Sequence, residues 1–208
     1  TQLIGVLARA ESTVSSLSNL LGGLVEKFAA RGYSLYLVGG SVRDALFGRL
    51  GNDLDFTTPA RPEVVKEILD EWAETVWDTG IDFGTVSAAY KGQQIEITTF
   101  RSDSYDGQSR NPEVVYGDTL EGDLVRRDFK ANAMAIELLA DASFKFHDPL
   151  HGLQDIADRV LDTPDKPEIS FHDDPLRMLR AARFASQLEF RVADRVVEAM
   201  RDMAGEIQ

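Results

Sequence analysis

Asp53 and Asp55 stand two residues apart in "DLDFTT" (53–58). On a β-strand that spacing sends both side chains out of one face. Two carboxylates so placed repel each other unless something positive lies between them. An all-oxygen pair suits Mg2+, which takes a few carboxylates together with substrate phosphates. Two such ions ~3.5–4 Å apart could activate an attacking hydroxyl and stabilise a leaving pyrophosphate. Glu96 is the candidate third carboxylate: in "IEITTF" it alternates against Ile95 and Ile97 and so faces away from the apolar side. Alone, "DLD" reads as a solvated strand end and Glu96 as an exposed strand residue. What lies upstream moves the reading of the aspartates: Gly39–Gly40–Ser41 sits between an apolar strand and a helix, with Arg43 in the first turn. Free N–H groups at a helix start suit a triphosphate, and Arg43 adds a charge-assisted contact. Alone, the two glycines read as a tight turn. Together the stretch reads as a phosphate cradle facing a metal site.

The elements that must hold these residues follow from periodicity. Leu17, Leu20, Leu21, Leu24, Val25 and Phe28 recur at helical spacing over 14–30, and Gly32 is a plausible stop. "SLYLV" (34–38) reads as a buried strand, "SVRDALFG" as a short helix from Ser41, and "DLDFTT" as a second strand. Pro62 opens a helix. "GTVSAAY" and "QQIEITTF" flank Lys91–Gly92 as a hairpin. Residues 102–118 turn polar and aperiodic, as in a long loop. A helix through "LEGDLVRRD" and a strand in "AMAIELL" (133–139) follow. "TPDKPE" (163–168) has linker character, "DDPLRMLRAARFASQLEF" reads as helix, and a further helix runs from Ala193. The expected fold class is α+β (mixed α/β), a mixed sheet flanked by helices and followed by a helical segment.

Composition narrows the setting. The 208 residues can bury a core, and their 43% apolar and 27% charged content is that of an ordinary soluble globular protein. With no cysteine, disulfides and thiolate metal sites are excluded. No apolar run approaches the ~18 residues of a membrane span and no signal-peptide pattern opens the chain, so a cytoplasmic protein is expected. The net charge of −13 opposes binding of a polyanion by the chain as a whole. Thr1, and an end at Gln208 within a helical pattern, read as a fragment of something longer.

"GGSVRD…DLD" resembles the signature of class II tRNA nucleotidyltransferases (CCA-adding enzymes) and bacterial poly(A) polymerases. "RRDFKANAMAIE" (126–137) is similar to that family's second motif, "DPLHGLQDI" (148–156) to its third, and "DDPLRMLRAARF" (173–184) to the motif of its neck helix. The four run in family order from about residue 34 to 190. The resemblance implies a palm-like nucleotidyltransferase head over 1–165, with 1–32 an N-terminal helical segment, and the start of a nucleotide-selecting neck over 166–208. The family's body and tail, which hold tRNA, are expected to lie outside these 208 residues. It implies CTP and ATP as substrates, the tRNA 3′ end as acceptor, and a two-metal Mg2+ site on Asp53 and Asp55. Gly39, Gly40 and Arg43 would bind triphosphate. Arg127, with Asp128 and Asn132, would hold sugar and phosphates; Asp174, Arg177, Arg180 and Arg183 would line the nucleotide pocket. The implied reaction is addition of CMP and AMP to tRNA. Alternatives are poly(A) synthesis, CC-only or A-only addition, a small-molecule nucleotidyltransferase, and a non-catalytic nucleotide-binding domain.

Five positions depart from the pattern. Lys130 and Ala131 replace a Thr and a β-branched residue, His151 a common Gly, Asp162 a frequent Arg, and Asp173 the usual Glu. Asp174 and Arg177, three apart on the expected helix, would share a face. Cytosine and adenine both offer an amine beside an unprotonated ring nitrogen, which Asp accepts from and Arg donates to. Uracil and guanine reverse both bonds, at a cost on the order of 1–3 kcal/mol per mispaired contact. Without the other motifs the pair reads as a surface ion pair of little energy.

Overall fold

The computed structural model describes residues 2–102 and 114–207. Most of the polar stretch expected as a long loop over 102–118 lies outside the described residues. The chain forms two compact units, residues 1–123 with 135–147, and residues 124–134 with 148–208.

The first unit is built on a seven-stranded mixed sheet. Its elements are α1 (Gln2–Ala30), β1 (Leu35–Val38), α2 (Gly40–Leu46), β2 (Asp53–Thr58), α3 (Pro62–Trp72), β3 (Thr75–Trp77), β4 (Thr85–Tyr90), β5 (Gln93–Thr99), α4 (Leu120–Val125), β6 (Ala135–Leu138) and β7 (Phe144–His147). The last two residues of α4 belong to the second unit. Strand order is β3-β4-β5-β2-β1-β6-β7, with β2 and β5 parallel and the other neighbours antiparallel. The apolar side is set by alternation: Leu54 and Phe56 of β2 and Ile95 and Ile97 of β5 are buried, and Asp53, Asp55 and Glu96 between them are exposed. Helix α1 buries Val14, Leu21, Leu24 and Phe28 completely and packs on α2 and α3. It begins twelve residues before the expected start at 14, because the apolar pattern marks only the buried turns. Two strands of this unit went unread. β3 has three residues and no fully buried side chain, and β7, "FKFH", buries none of its side chains fully. Neither pattern stands out from a loop.

The second unit contains α5 (Gly152–Asp158), β8 (Val160–Leu161), α6 (Pro167–Asp173), α7 (Leu176–Leu188), β9 (Arg191–Val192) and α8 (Asp194–Met203), with β8 and β9 paired in parallel. Phe171, Met178, Val196 and Ala199 form its core, joined by Val192, Met200 and Met203. This grouping differs from a boundary at 165/166. Residues 126–134 and 148–165 pack with the helical segment, through Phe129 against Phe184 and Asp162 against Arg195. "TPDKPE" is no exposed linker either: Thr163 is fully buried, and its carbonyl accepts from Arg195 Nη2 at 2.8 Å. The helix expected over 173–190 is α7 alone, Leu176–Leu188; Asp173 ends α6, which was not expected, and the two helices are separated at Asp174–Pro175. Asp174 is extended, with φ −147° and ψ 96°, in keeping with the bias against helical backbone before a proline.

Candidate functional site

In the first unit a hydrogen bond links the two motifs. Gly39 joins β1 to α2 at φ 65° and ψ −141°, a conformation open essentially to glycine alone. Gly40 opens α2, and a Cβ there would come 3.3 Å from Arg43 Nη2. The glycine therefore lets the guanidinium lie along the turn. Arg43 is buried and reaches Asp44 Oδ1 at 3.5 Å. Ser41, not singled out in the sequence, accepts the backbone N–H of Asp55 on its Oγ at 3.1 Å. The glycine turn and the aspartate strand are thus fastened at the residue where the chemistry is expected.

The parallel register of β2 and β5 pairs Asp55 with Glu96 and Asp53 with Gln94, while the antiparallel register of β4 sets Ser87 beside Glu96. Asp53, Asp55 and Glu96 therefore share one sheet face. Burial, then the charge of Asp55, a hydrogen bond with it and the charge of Asp53 push the Glu96 carboxyl above its ordinary value. Among the described residues no three His, Cys, Asp or Glu side chains close around a point that would hold a metal ion. The donor set still fits a hard divalent cation: all oxygen, mutually repelling, and relieved by positive charge placed between.

In the second unit the second and fourth motifs converge. Asp128, 6% exposed, accepts from Phe129 N–H at 2.8 Å and from Asn132 Nδ2 at 3.3 Å on Oδ1. Its Oδ2 lies 2.6 Å from Arg180 Nη2, an ion pair lying off hydrogen-bond alignment. The guanidinium carbons of Arg180 and Arg183 lie 5.6 Å and 5.1 Å from the centre of the Phe184 ring. Phe184 meets Phe129 edge-on at 6.0 Å. Asp128, Asn132, Arg180 and Arg183 thus form one cluster from two distant segments. Arg127 stands beside it in sequence, half-buried.

Asp174 and Arg177 do not share a helix face. Asp174 is the joint between α6 and α7, and its Oδ1 accepts the N–H of Leu176, the first residue of α7, at 3.1 Å across Pro175. Arg177 donates through Nη2 to the carbonyl of Arg126 at 2.8 Å and through Nη1 to Ser170 Oγ at 3.0 Å. Its guanidinium is anchored to the second motif instead of standing out from the helix. Pro175 was the signal for this break.

Several departures from the family pattern find partners. Lys130 Nζ lies 3.4 Å from Asp162 Oδ2 and 3.5 Å from Asp155 Oδ2, so two of the unusual residues pair with each other. His151 has φ 60° and ψ 38° at the head of α5, which is why glycine is common there. Ala131 is buried and Asp173 is exposed at the end of α6. The third motif is structural: Asp148 accepts from the N–H groups of Gly152 and Leu153 at 2.7 Å and 3.0 Å. Gly152 lies where a Cβ would come 2.0 Å from the carbonyl oxygen of Lys130.

The poly A polymerase head domain family matches residues 35–162. The chain belongs to that family. A CCA-adding enzyme of Lactobacillus helveticus is 42% identical over 172 residues, which are 82% of this chain and 41% of the relative. The mixed α/β architecture is that of the Bacillus stearothermophilus CCA-adding enzyme in complex with CTP, with a TM-score of 0.75, 34% identity, and 92% of this chain and 45% of that chain covered. A tRNA nucleotidyltransferase complexed with a primer tRNA and an incoming ATP analogue gives a TM-score of 0.71 and 28% identity over 93% of this chain and 50% of that one. The chain spans about two fifths of the length of the curated relative it matches. Among the described residues no helix is long and apolar enough to cross a membrane.

Proposed function

We propose that this poly A polymerase head domain chain is the nucleotide-handling part of a tRNA nucleotidyltransferase that adds CMP and AMP from CTP and ATP to the tRNA 3′ end. The observation that carries the reading is the row of Asp55 and Glu96 on adjacent strands, held against the glycine turn by the Ser41–Asp55 bond. Family membership and the relatives' names support it. Asp53 and Asp55, with Glu96 beside them, would hold Mg2+. When bound, it supplies charge neutralisation for the triphosphate and acidifies the attacking hydroxyl. Gly39, Gly40 and Arg43 orient the triphosphate, and Arg127, Asp128 and Asn132 receive the sugar and phosphates. Arg180 and Arg183 add positive charge beside them. Asp174, by the carboxylate oxygen not bonded to Leu176, would accept from the amine of C or A. Arg177, held by Arg126 and Ser170, would donate to the ring nitrogen through a remaining N–H. Head and neck remain the functional division we infer, with tRNA held largely by parts of the protein beyond this chain, and the setting is the cytoplasm.

The test is incorporation by the full-length protein, with tRNA lacking CCA and each nucleoside triphosphate in turn. CMP and AMP addition without UMP or GMP is expected. Asp53→Ala and Asp55→Ala should abolish it while the circular dichroism spectrum is unchanged. More than about a tenth of the wild-type kcat in either variant would defeat the reading.

A further inference from the structure

We propose that Lys130 is a positioning residue for the nucleotide-binding cluster of the second unit, clamping the turn that carries Asp128 and Asn132. The inference rests on the reading of that cluster given above. Lys130 is fastened at three points. Its N–H donates to the Asp162 carbonyl at 2.9 Å, and its carbonyl accepts from Ala133 at 3.0 Å. Its ammonium lies between Asp155 Oδ2 and Asp162 Oδ2, with all three side chains less than a quarter exposed.

The charges explain why the ammonium is needed. Burial pushes the Asp155 carboxyl up, the neighbouring Asp162 adds to this, and Lys130 opposes both. Without Lys130, two poorly solvated carboxylates face each other with no cation between them. Asp162 cannot absorb that strain. Its Oδ1 is held by Arg195 Nε at 2.8 Å and by Thr163 N–H at 2.9 Å, and Arg195 also bonds the Thr163 carbonyl. The element left to move is the turn at 130–132. Asp128 is coupled to that turn through Asn132 Nδ2 and the Phe129 N–H, and Arg180 is paired to Asp128 in turn. A lost ammonium is therefore transmitted to Asp128, Asn132 and Arg180. None of these reads the base, so CTP and ATP are affected alike.

The experiment is calorimetric titration of CTP, and separately ATP, with Mg2+ into this chain and its variants, each with a thermal melt. Lys130→Met is expected to weaken both nucleotides about 5- to 30-fold, with their affinity ratio unchanged. Lys130→Arg, which keeps the charge, should stay within about 3-fold of wild type. Arg195→Met probes the same clamp from its half-exposed side and covers the case in which Lys130→Met does not fold; about 2- to 5-fold weakening is expected. Equal affinity in wild type and a folded Lys130→Met overturns the proposal, as does a Lys130→Arg loss as large as that of Lys130→Met. Wild-type affinity in Arg195→Met does the same. A changed CTP-to-ATP ratio would instead make Lys130 a base-reading residue. If the unsubstituted chain binds neither nucleotide, the cluster's reading falls and the clamp with it.

Discussion

Gly152→Ala is the sharpest perturbation the packing allows. The added Cβ would lie 2.0 Å from the Lys130 carbonyl oxygen, 2.9 Å from its carbon and 3.0 Å from Met134 Cγ, and real Cβ atoms essentially never approach closer than 3.0 Å. About 1 Å of retreat is needed, and both sides are tied. The Lys130 carbonyl accepts the buried Ala133 N–H at 3.0 Å, and the Gly152 N–H is held by Asp148 at 2.7 Å. Overpacking of this kind costs about 1–3 kcal/mol. Pulling the carbonyl from a buried N–H adds roughly 1–3 kcal/mol. The expected loss is therefore about 2–6 kcal/mol, or a drop in Tm of about 4–24 °C at this chain length. Urea unfolding should be followed by far-ultraviolet circular dichroism and by tryptophan fluorescence. Trp72 and Trp77, the two tryptophans, both lie in the first unit, so comparing the probes shows which unit carries the loss. A Gly152→Ala protein within about 0.5 kcal/mol of wild type would refute the close approach and with it the structural account of the third motif.

Gly22→Ala is the opposite case: it lies in the interior of α1 with nothing within 4 Å of an added Cβ, so it should raise stability by about 0.5–1 kcal/mol in the same urea assay. Gly39→Ala forces a side chain onto φ 65° and ψ −141° and should cost about 1–3 kcal/mol, with weaker triphosphate binding measured by calorimetry. Glu96, whose carboxyl is raised in the fold, holds its proton more tightly folded than unfolded. Its favourable contribution is complete below the ordinary carboxylate value and is lost as pH rises through the raised one. Wild type should thus lose stability relative to Glu96→Gln as pH climbs out of the acid range in metal-free buffer; parallel urea midpoints across pH would show that the three carboxylates do not interact.

The candidate site was legible where its chemistry is local in the chain. Gly39, Gly40, Asp53 and Asp55 fall within one strand–turn–helix–strand stretch, and alternation alone puts both aspartates on the open face. Glu96 could be chosen by alternation, but that it stands beside Asp55 depends on a parallel pairing between strands some forty residues apart, which no local pattern specifies. Ser41 was invisible for a related reason: its partner is a backbone N–H, and every residue except proline offers one. The Asp174–Pro175 break carried a readable signal, but the strong helical periodicity that follows it masked it.

The departures from the family pattern show where residue-by-residue reading runs out. Lys130 and Asp162, taken singly, are a misplaced cation and a misplaced anion; in the fold they are 3.4 Å apart, and Arg195 of α8 completes the charge balance. A position's meaning there belongs to the pair. The same holds for His151: as a residue type it looks like a lost glycine, but its φ of 60° shows that the backbone conformation was kept and the side chain tolerated. A left-handed non-glycine residue costs about 1–2 kcal/mol, and here it sits one residue from Gly152, where the approach of Lys130 admits no side chain at all. Of the two adjacent positions, only the second is sterically closed. A side chain can therefore be borne at 151, where the strain is modest, and not at 152, where the carbonyl that anchors the proposed nucleotide-binding turn must pass.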